Sequence, residues 1–148
     1  VILVDTNLLI YAYVKDVPQH PAAFAWLEER LREESPVALP WPALLAFVRL
    51  VSNRKIFKVP VTIPMAWEQV ERWRAVPCVW SPSPTPGHAE ILGRLLQDVG
   101  EDSNGVPDAY LATLAIEHDL TLCTGDGGFS RFTGLRWQNP LRALGLGQ

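Results

Sequence analysis

Val1-Ile2-Leu3-Val4-Asp5-Thr6-Asn7 is the stretch on which the reading of this chain depends. Four consecutive apolar residues, three of them β-branched, suit a strand buried on both faces, as in a parallel sheet. The run stops on a carboxylate and two small polar residues, and Leu8-Leu9-Ile10-Tyr11-Ala12-Tyr13-Val14 follows as an apolar helix. A buried strand passing into such a helix places Asp5 at the strand's carboxyl end, where open α/β sheets bind ligands. Simple capping of the helix by Asp5 or Thr6 explains the same residues without chemistry. The rest of the chain must decide between the two.

Downstream, His20-Pro21 opens an amphipathic helix with Phe24, Leu27 and Leu31 on its apolar face. Val37-Ala38-Leu39 forms a brief second strand, and a helix from Pro42 to Val51 buries Leu44, Leu45, Phe47, Val48, Leu50 and Val51. Its opposite stripe carries Pro42, Ala46, Arg49 and Asn53 at helical spacing. The helix runs into the densest basic segment of the chain, where Arg49, Arg54, Lys55 and Lys58 occur with no acid among them. Such a segment is either a solvated face or a set of phosphate contacts.

Thr62-Ile63-Pro64 starts a helix with Trp67, Val70 and Trp73 as its ridge, and Cys78-Val79-Trp80 is a third strand. Trp67, Trp73 and Trp80 suit a core or a dimer surface better than a base-stacking platform. Thr85-Pro86 opens a helix with Ile91, Leu95, Leu96 and Val99 on one buried face, and His88 near its start suits a surface or capping position. Val106-Pro107-Asp108 begins the next helix, where a first-turn carboxylate is favoured by the helix dipole with no catalysis required. Thr121-Leu122-Cys123-Thr124 is the fourth strand, Gly125-Asp126-Gly127-Gly128-Phe129 a turn at its carboxyl end, and Leu135-Arg136-Trp137 a last short strand. The tail from about residue 142 to 148 is expected to fray.

Strands alternate with helices throughout, which calls for an α/β fold whose parallel sheet is covered on both faces, in one domain spanning 1–148. No apolar run approaches the ~20 residues of a membrane span, and no signal-peptide pattern opens the chain. Cys78 and Cys123 lack zinc or disulfide spacing and suit reduced thiols of a cytoplasmic protein. The net charge of -3 describes no polycation. A carboxylate cluster that holds metal acidifies its own domain, however, so basic residues matter by location rather than by sum.

With the first and fourth strands as neighbours, Asp5 and Asp126 sit side by side, and the first turn holding Asp108 approaches from the same edge. Three converging carboxylates repel one another unless a cation offsets them or their pKa values rise. Oxygen donors without His or Cys point to Mg²⁺ or Mn²⁺. Such an ion activates a water and stabilises charge on a phosphoryl oxygen.

These same residues carry a family resemblance. Asp5-Thr6-Asn7-Leu8-Leu9 resembles the opening motif of PIN-domain nucleases. Leu39-Pro40-Trp41, Phe47-Val48-Arg49-Leu50, Asp108-Ala109-Tyr110-Leu111-Ala112, Thr124-Gly125-Asp126 with Phe129, and Trp137-Gln138-Asn139-Pro140-Leu141 resemble its later blocks in order. The match covers nearly the whole chain and is nearest to the VapC-type toxins of bacterial toxin–antitoxin pairs. It implies a PIN-like three-layer sandwich with a mostly parallel five-stranded sheet of order 3-2-1-4-5. It further implies a Mg²⁺- or Mn²⁺-dependent endoribonuclease, a homodimer, and a cognate VapB-type antitoxin that blocks the site. Asp5 and Asp108 match the metal-binding acids, Asp126 the acid after the fourth strand, and Thr6 a small hydroxyl residue beside the metal. The basic set Arg49, Arg54, Lys55 and Lys58 would then position RNA. Ala46 and Gly128 stand where the family usually has acids, which leaves three recognisable carboxylates and puts a two-metal mechanism in question. Glu101 or Asp102 is a candidate replacement ligand.

Two other readings compete with an active RNase. One is a catalytically weak PIN module that acts by binding RNA or its antitoxin. The other is a phosphotransfer fold, which fits poorly: a haloacid-dehalogenase phosphatase has a second acid where this chain has Asn7, and a receiver domain has an acceptor Asp where it has Ser81.

Overall fold

The computed structural model describes residues 1–142. Five short strands, β1 (Ile2–Val4), β2 (Val37–Ala38), β3 (Val79–Trp80), β4 (Thr121–Cys123) and β5 (Trp137–Gln138), form one sheet of order β3-β2-β1-β4-β5. All four pairings are parallel, with Leu3 beside Ala38 on one side and Leu122 on the other. Six helices separate them: α1 (Thr6–Tyr13), α2 (His20–Arg32), α3 (Trp41–Val51), α4 (Ile63–Arg74), α5 (His88–Val99) and α6 (Val106–Glu117). The expected fold class and strand order are those observed.

Strand residues alternate between two cores, because successive side chains point to opposite faces of a strand. Val4, Val37 and Cys123 join the core that α1 to α4 cover, while Leu3, Ala38 and Leu122 join the one beneath α5 and α6. This is why Ile2-Leu3-Val4 is apolar without a polar alternate: the central strand has no solvent face. Among the described residues no helix is long and apolar enough to cross a membrane.

Most residues of the expected helix faces are buried or half-buried, but on each of four helices one of them turns out to solvent. α2 buries Ala23 and Leu27, one turn apart, and leaves Phe24 exposed. α3 buries Ala43, Leu44, Phe47 and Val51, while Leu45 faces solvent. On α4 the ridge is Ala66, Val70 and Trp73, and Trp67 instead stacks on Trp41 at the surface. α5 turns Leu95 and Val99 inward and Leu96 outward. On α2, α3 and α4 an alanine (Ala23, Ala43 or Ala66) sits at the contact, since small side chains let a helix pack closely. Counting large apolar residues alone misses that choice.

His88 also differs from its expected surface or capping role. Its Nδ1 pairs with the Glu117 carboxylate, its ring packs edge-on against Tyr110, and its side chain is mostly buried. Glu117 accepts further bonds from the Thr85 backbone and hydroxyl, so the cluster ties the entry of α5 to the end of α6. The expected frayed tail falls almost wholly on residues 143–148, outside the described residues. Arg142 itself lies over the Trp137 ring.

Candidate active site

The site stands at the carboxyl edge of the three central strands. Asp5 follows β1, its amide extends the ladder to the Cys123 carbonyl, and its Oδ1 accepts from the Thr6 amide at 2.7 Å. It therefore caps α1, as the plainer reading required. Its other oxygen, Oδ2, accepts from the buried Thr124 hydroxyl at 2.8 Å, and the residue as a whole is 7% exposed. Burial pushes the Asp5 carboxyl above its ordinary range, against the hydrogen bonds from Thr124 and Thr6, with the nearby Asp126 charge adding to the rise.

Thr124 is the hub of this edge, and its role is not evident from motif spacing. Its hydroxyl donates to Asp5 and accepts from the Asn7 amide at 3.2 Å and from the Asp126 backbone at 3.0 Å. Asn7 returns along the same turn, its Oδ1 accepting from the Gly125 amide at 3.0 Å. A β-carbon at Gly125 would stand 3.3 Å from the Tyr11 ring, so a bare backbone lets the turn close onto α1. One turn from β1 and one from β4 are thus latched together, and each ends on an acid.

Asp126 caps the 3₁₀ segment Gly127–Arg131, its Oδ1 accepting from the Gly128 amide at 2.8 Å. A β-carbon at Gly128 would lie 3.1 Å from that same oxygen, so any side chain there crowds the cap. Asp108 stands in the first turn of α6. Its carboxyl is raised to about 6 by burial first, then by the Asp5 and Asp126 charges; Arg131 opposes the rise and Asp102 adds to it. Of the two loop acids considered as substitutes, Asp102 is the one whose charge reaches Asp108.

The three predicted carboxylates therefore feel one another at one sheet edge. The basic segment is elsewhere. α3 starts at the carboxyl edge, where the Thr6 hydroxyl donates to the Ala43 carbonyl at 3.2 Å, and then runs away from it. Arg54, Lys55 and Lys58 follow the other end of α3, which closes at Val51. All three are exposed, and Lys58 borders a groove of ≈ 1150 Å³ with Tyr13, Phe24, Ile56 and Val59. Arg49 is exposed on the last turn of α3, and Ala46, one turn earlier, is half-buried and outside the core.

A cationic residue that the sequence reading did not single out does reach the acids. Arg131, the last residue of the 3₁₀ segment, brings Nη2 within 3.4 Å of Asp108 Oδ2. Only the fold could show this, because nothing in the spacing from residue 108 to 131 marks a pair.

The donor set here is carboxylate and hydroxyl oxygen without His or Cys, which fits a hard divalent cation. Mutual repulsion of Asp5, Asp108 and Asp126 fits it too, since a cation would relieve the charge that now holds two of them up. Each carboxylate is at present turned onto a partner of its own. Among the described residues no three His, Cys, Asp or Glu side chains are gathered closely enough to hold an ion as they stand.

A family model for the PIN domain matches residues 2–135. The chain belongs to the PIN domain family. Within that family it is similar to Ribonuclease VapC37 of Mycobacterium tuberculosis, 40% identical over 138 residues that make up 93% of this chain and 96% of the relative. It is 36% identical to Ribonuclease VapC43 of the same organism, covering 93% and 94% of the two chains. Among solved structures, this PIN domain superposes on a chain of VapBC2 from Rickettsia felis bound to a promoter DNA fragment, with a TM-score of 0.67 and 19% identity over 93% of this chain and 96% of that one. It superposes also on a chain of FitAcB from Neisseria gonorrhoeae, with a TM-score of 0.65 and 22% identity over 95% and 98%. These last two likenesses establish the fold.

Proposed function

We propose that this PIN domain is a metal-dependent endoribonuclease and the toxin of a toxin–antitoxin pair. The observation that carries the reading is that Asp5, Asp108 and Asp126 stand within reach of one another's charge at one sheet edge, where burial and mutual charge raise the first two. Kinship with chains named ribonucleases supports RNA as the substrate class. Asp5, Asp108 and Asp126 would hold Mg²⁺ or Mn²⁺, which when bound supplies a water of lowered pKa and offsets charge on the scissile phosphate.

The chain's own residues do the positioning. Thr124 fixes the Asp5 carboxylate, Asn7 pins the turn that presents Asp126, and the first turn of α6 aims Asp108 at the same edge. The Thr6 hydroxyl, tied to the Ala43 carbonyl, holds α3 against the crevice. The surface groove suits the antitoxin rather than RNA. Phe24, Ile56 and Val59 offer exposed apolar contacts, with Lys15, Lys58 and Arg72 on the rim, a chemistry that fits an apolar segment flanked by acids. The stacked, exposed Trp41–Trp67 pair suits the surface of a homodimer.

The test is cleavage of RNA by purified protein with Mn²⁺, with EDTA, and with Asp5→Asn or Asp108→Asn in place of the native chain. Activity that needs Mn²⁺ and disappears in both variants is expected. Full cleavage by Asp5→Asn would sink the assignment. A second reading, a PIN module that acts by binding alone, is favoured by the open arrangement of the three acids. It predicts weak Mn²⁺ binding and intact RNA.

A further inference from the structure

We propose that Arg131 is a substrate-contacting residue of this site, seated beside Asp108 to take a phosphate oxygen of the RNA strand. The inference rests on the nuclease reading above and adds a residue to it. The 3₁₀ segment Gly127–Arg131 is capped by Asp126 at one end and ends on Arg131 at the other, so one short turn presents both a metal-binding candidate and a cation. Phe129 and Phe132, on either side of Arg131, are buried, which fixes that turn to the core beneath α5 and α6.

The side chain has a built seat. A β-carbon on Gly105 would stand 2.5 Å from Arg131 Nη2 and 3.2 Å from Cζ, so the guanidinium lies where any other residue at 105 would put its side chain. The Phe132 ring lies 5.0 Å beneath Cζ. Gly105 immediately precedes α6, and Asp108 is in the first turn of that helix. The glycine thus opens the notch and the helix supplies the acid.

The contact made in that seat is poor as a structural ion pair. A guanidinium carries five N–H donors, and its strong mode with a carboxylate is bidentate. Here a single bond of 3.4 Å joins Nη2 to Asp108 Oδ2, and the buried Nε has no partner among the described residues. Part-exposed ion pairs of this kind contribute little to stability, whereas an unpaired buried donor is destabilising. The seat therefore holds a cation at the acids' edge with most of its hydrogen-bonding capacity unspent. Its side chain remains 30% exposed. A phosphodiester at this edge offers two charged oxygens to such a fork, and three carboxylates around one divalent ion leave room for a further positive charge.

Arg131→Gln and Arg131→Lys, compared with the native protein, test this. Four readouts are needed: Mn²⁺ affinity by calorimetry, RNA binding in Ca²⁺ across a salt series, cleavage kinetics in Mn²⁺, and a thermal melt. Arg131→Gln should bind Mn²⁺ at least as tightly, because a competing cation has been removed. Its salt slope for single-stranded RNA should fall by about 0.7, the share of one phosphate contact. Its kcat should drop by about a hundredfold with the melt little changed, and Arg131→Lys should recover part of that loss. A native protein that cuts no RNA refutes the nuclease reading itself. Native cleavage matched by Arg131→Gln, or a salt slope that both variants leave unchanged, overturns the role of Arg131 alone. If Arg131→Gln melts far below the native protein, the outcome rests on Arg131→Lys: a folded lysine variant with native salt slope and native kcat also overturns it.

Discussion

The Thr124 hydroxyl donates to Oδ2 of Asp5 at 2.8 Å, joining residues 119 positions apart in the chain. This bond and the two that Thr124 accepts turn the ends of β1 and β4 into one rigid edge. Thr124→Val keeps the shape and removes all three. At a net cost of about 2 kcal/mol, the melting temperature of a chain of this length should fall by about 4–8 °C. RNA cleavage should fall at least tenfold, and Thr124→Ser should restore most of both. A valine variant that melts and cuts like the native protein contradicts this account of the edge.

Asp108 gives the site a pH signature. Its pKa rises from 3.8 to about 6 on folding, from burial first and then from Asp5 and Asp126. An acid raised in the folded state stabilises the fold while protonated. That contribution is fully present below about pH 4 and is lost as pH rises through about 6. Glu117 has the opposite slope, since hydrogen bonds from Thr85 and His88 outweigh its burial and hold it below its ordinary value. The difference in melting temperature between native protein and Asp108→Asn isolates the first effect. Without metal, the variant should become progressively the more stable of the two between pH 4 and 7. Native Mn²⁺ affinity should weaken as pH is lowered through 6, because the proton and the ion compete. A pH-independent difference would refute the assignment.

The groove beside α1 and α2 should be separable from catalysis. Val59 is 87% exposed, so Val59→Glu is expected to leave the melt unchanged. Placing an acid among Phe24, Ile56 and Val59 should weaken binding of the co-expressed antitoxin at least tenfold, with cleavage by the free protein unaltered. The double change of Arg54 and Lys55 to Gln should likewise leave cleavage intact, since α3 starts at the acids' edge and both residues follow its other end. Lost cleavage in that double variant would return these cations to the substrate path.

Ala46 stands half-buried on α3, outside the cluster of Ala43, Leu44, Phe47 and Val51. Ala46→Glu should therefore be tolerated, with a shift in melting temperature of no more than a few degrees. A fourth hard oxygen donor, about one turn along α3 from the Ala43 carbonyl that Thr6 holds, should tighten Mn²⁺ binding. Calorimetry on both proteins reads the affinity. Unchanged affinity with a sharply lower melt would put Ala46 in the core, where an unpaired charge is costly.

Much of the molecule was legible in one dimension. The apolar run Ile2-Leu3-Val4 ending on Asp5 announces a strand without a solvent face, and alternation of strands with helices dictates a parallel, doubly covered sheet. Strand ends in such a sheet share an edge, so Asp5 and Asp126 had to be neighbours once β1 paired with β4. Periodicity and turn chemistry are local, and local signals survive in sequence. The edge of each helix face did not: whether Phe24 or Ala23 joins Leu27 inside depends on how closely α2 is approached by its neighbours, a property of the partner surface.

The electrostatics of the site were decided by tertiary structure alone. Asp108 is raised first by burial and then by acids 103 positions before it and 18 after it, and the rise is partly offset by Arg131, which reaches it because Gly105 has no side chain. The densest basic cluster in the chain went to the far end of α3, while one arginine from a short 3₁₀ turn arrived at the acids. Charge acts through space at a few ångströms, and neither composition nor spacing carries that distance until the chain has folded.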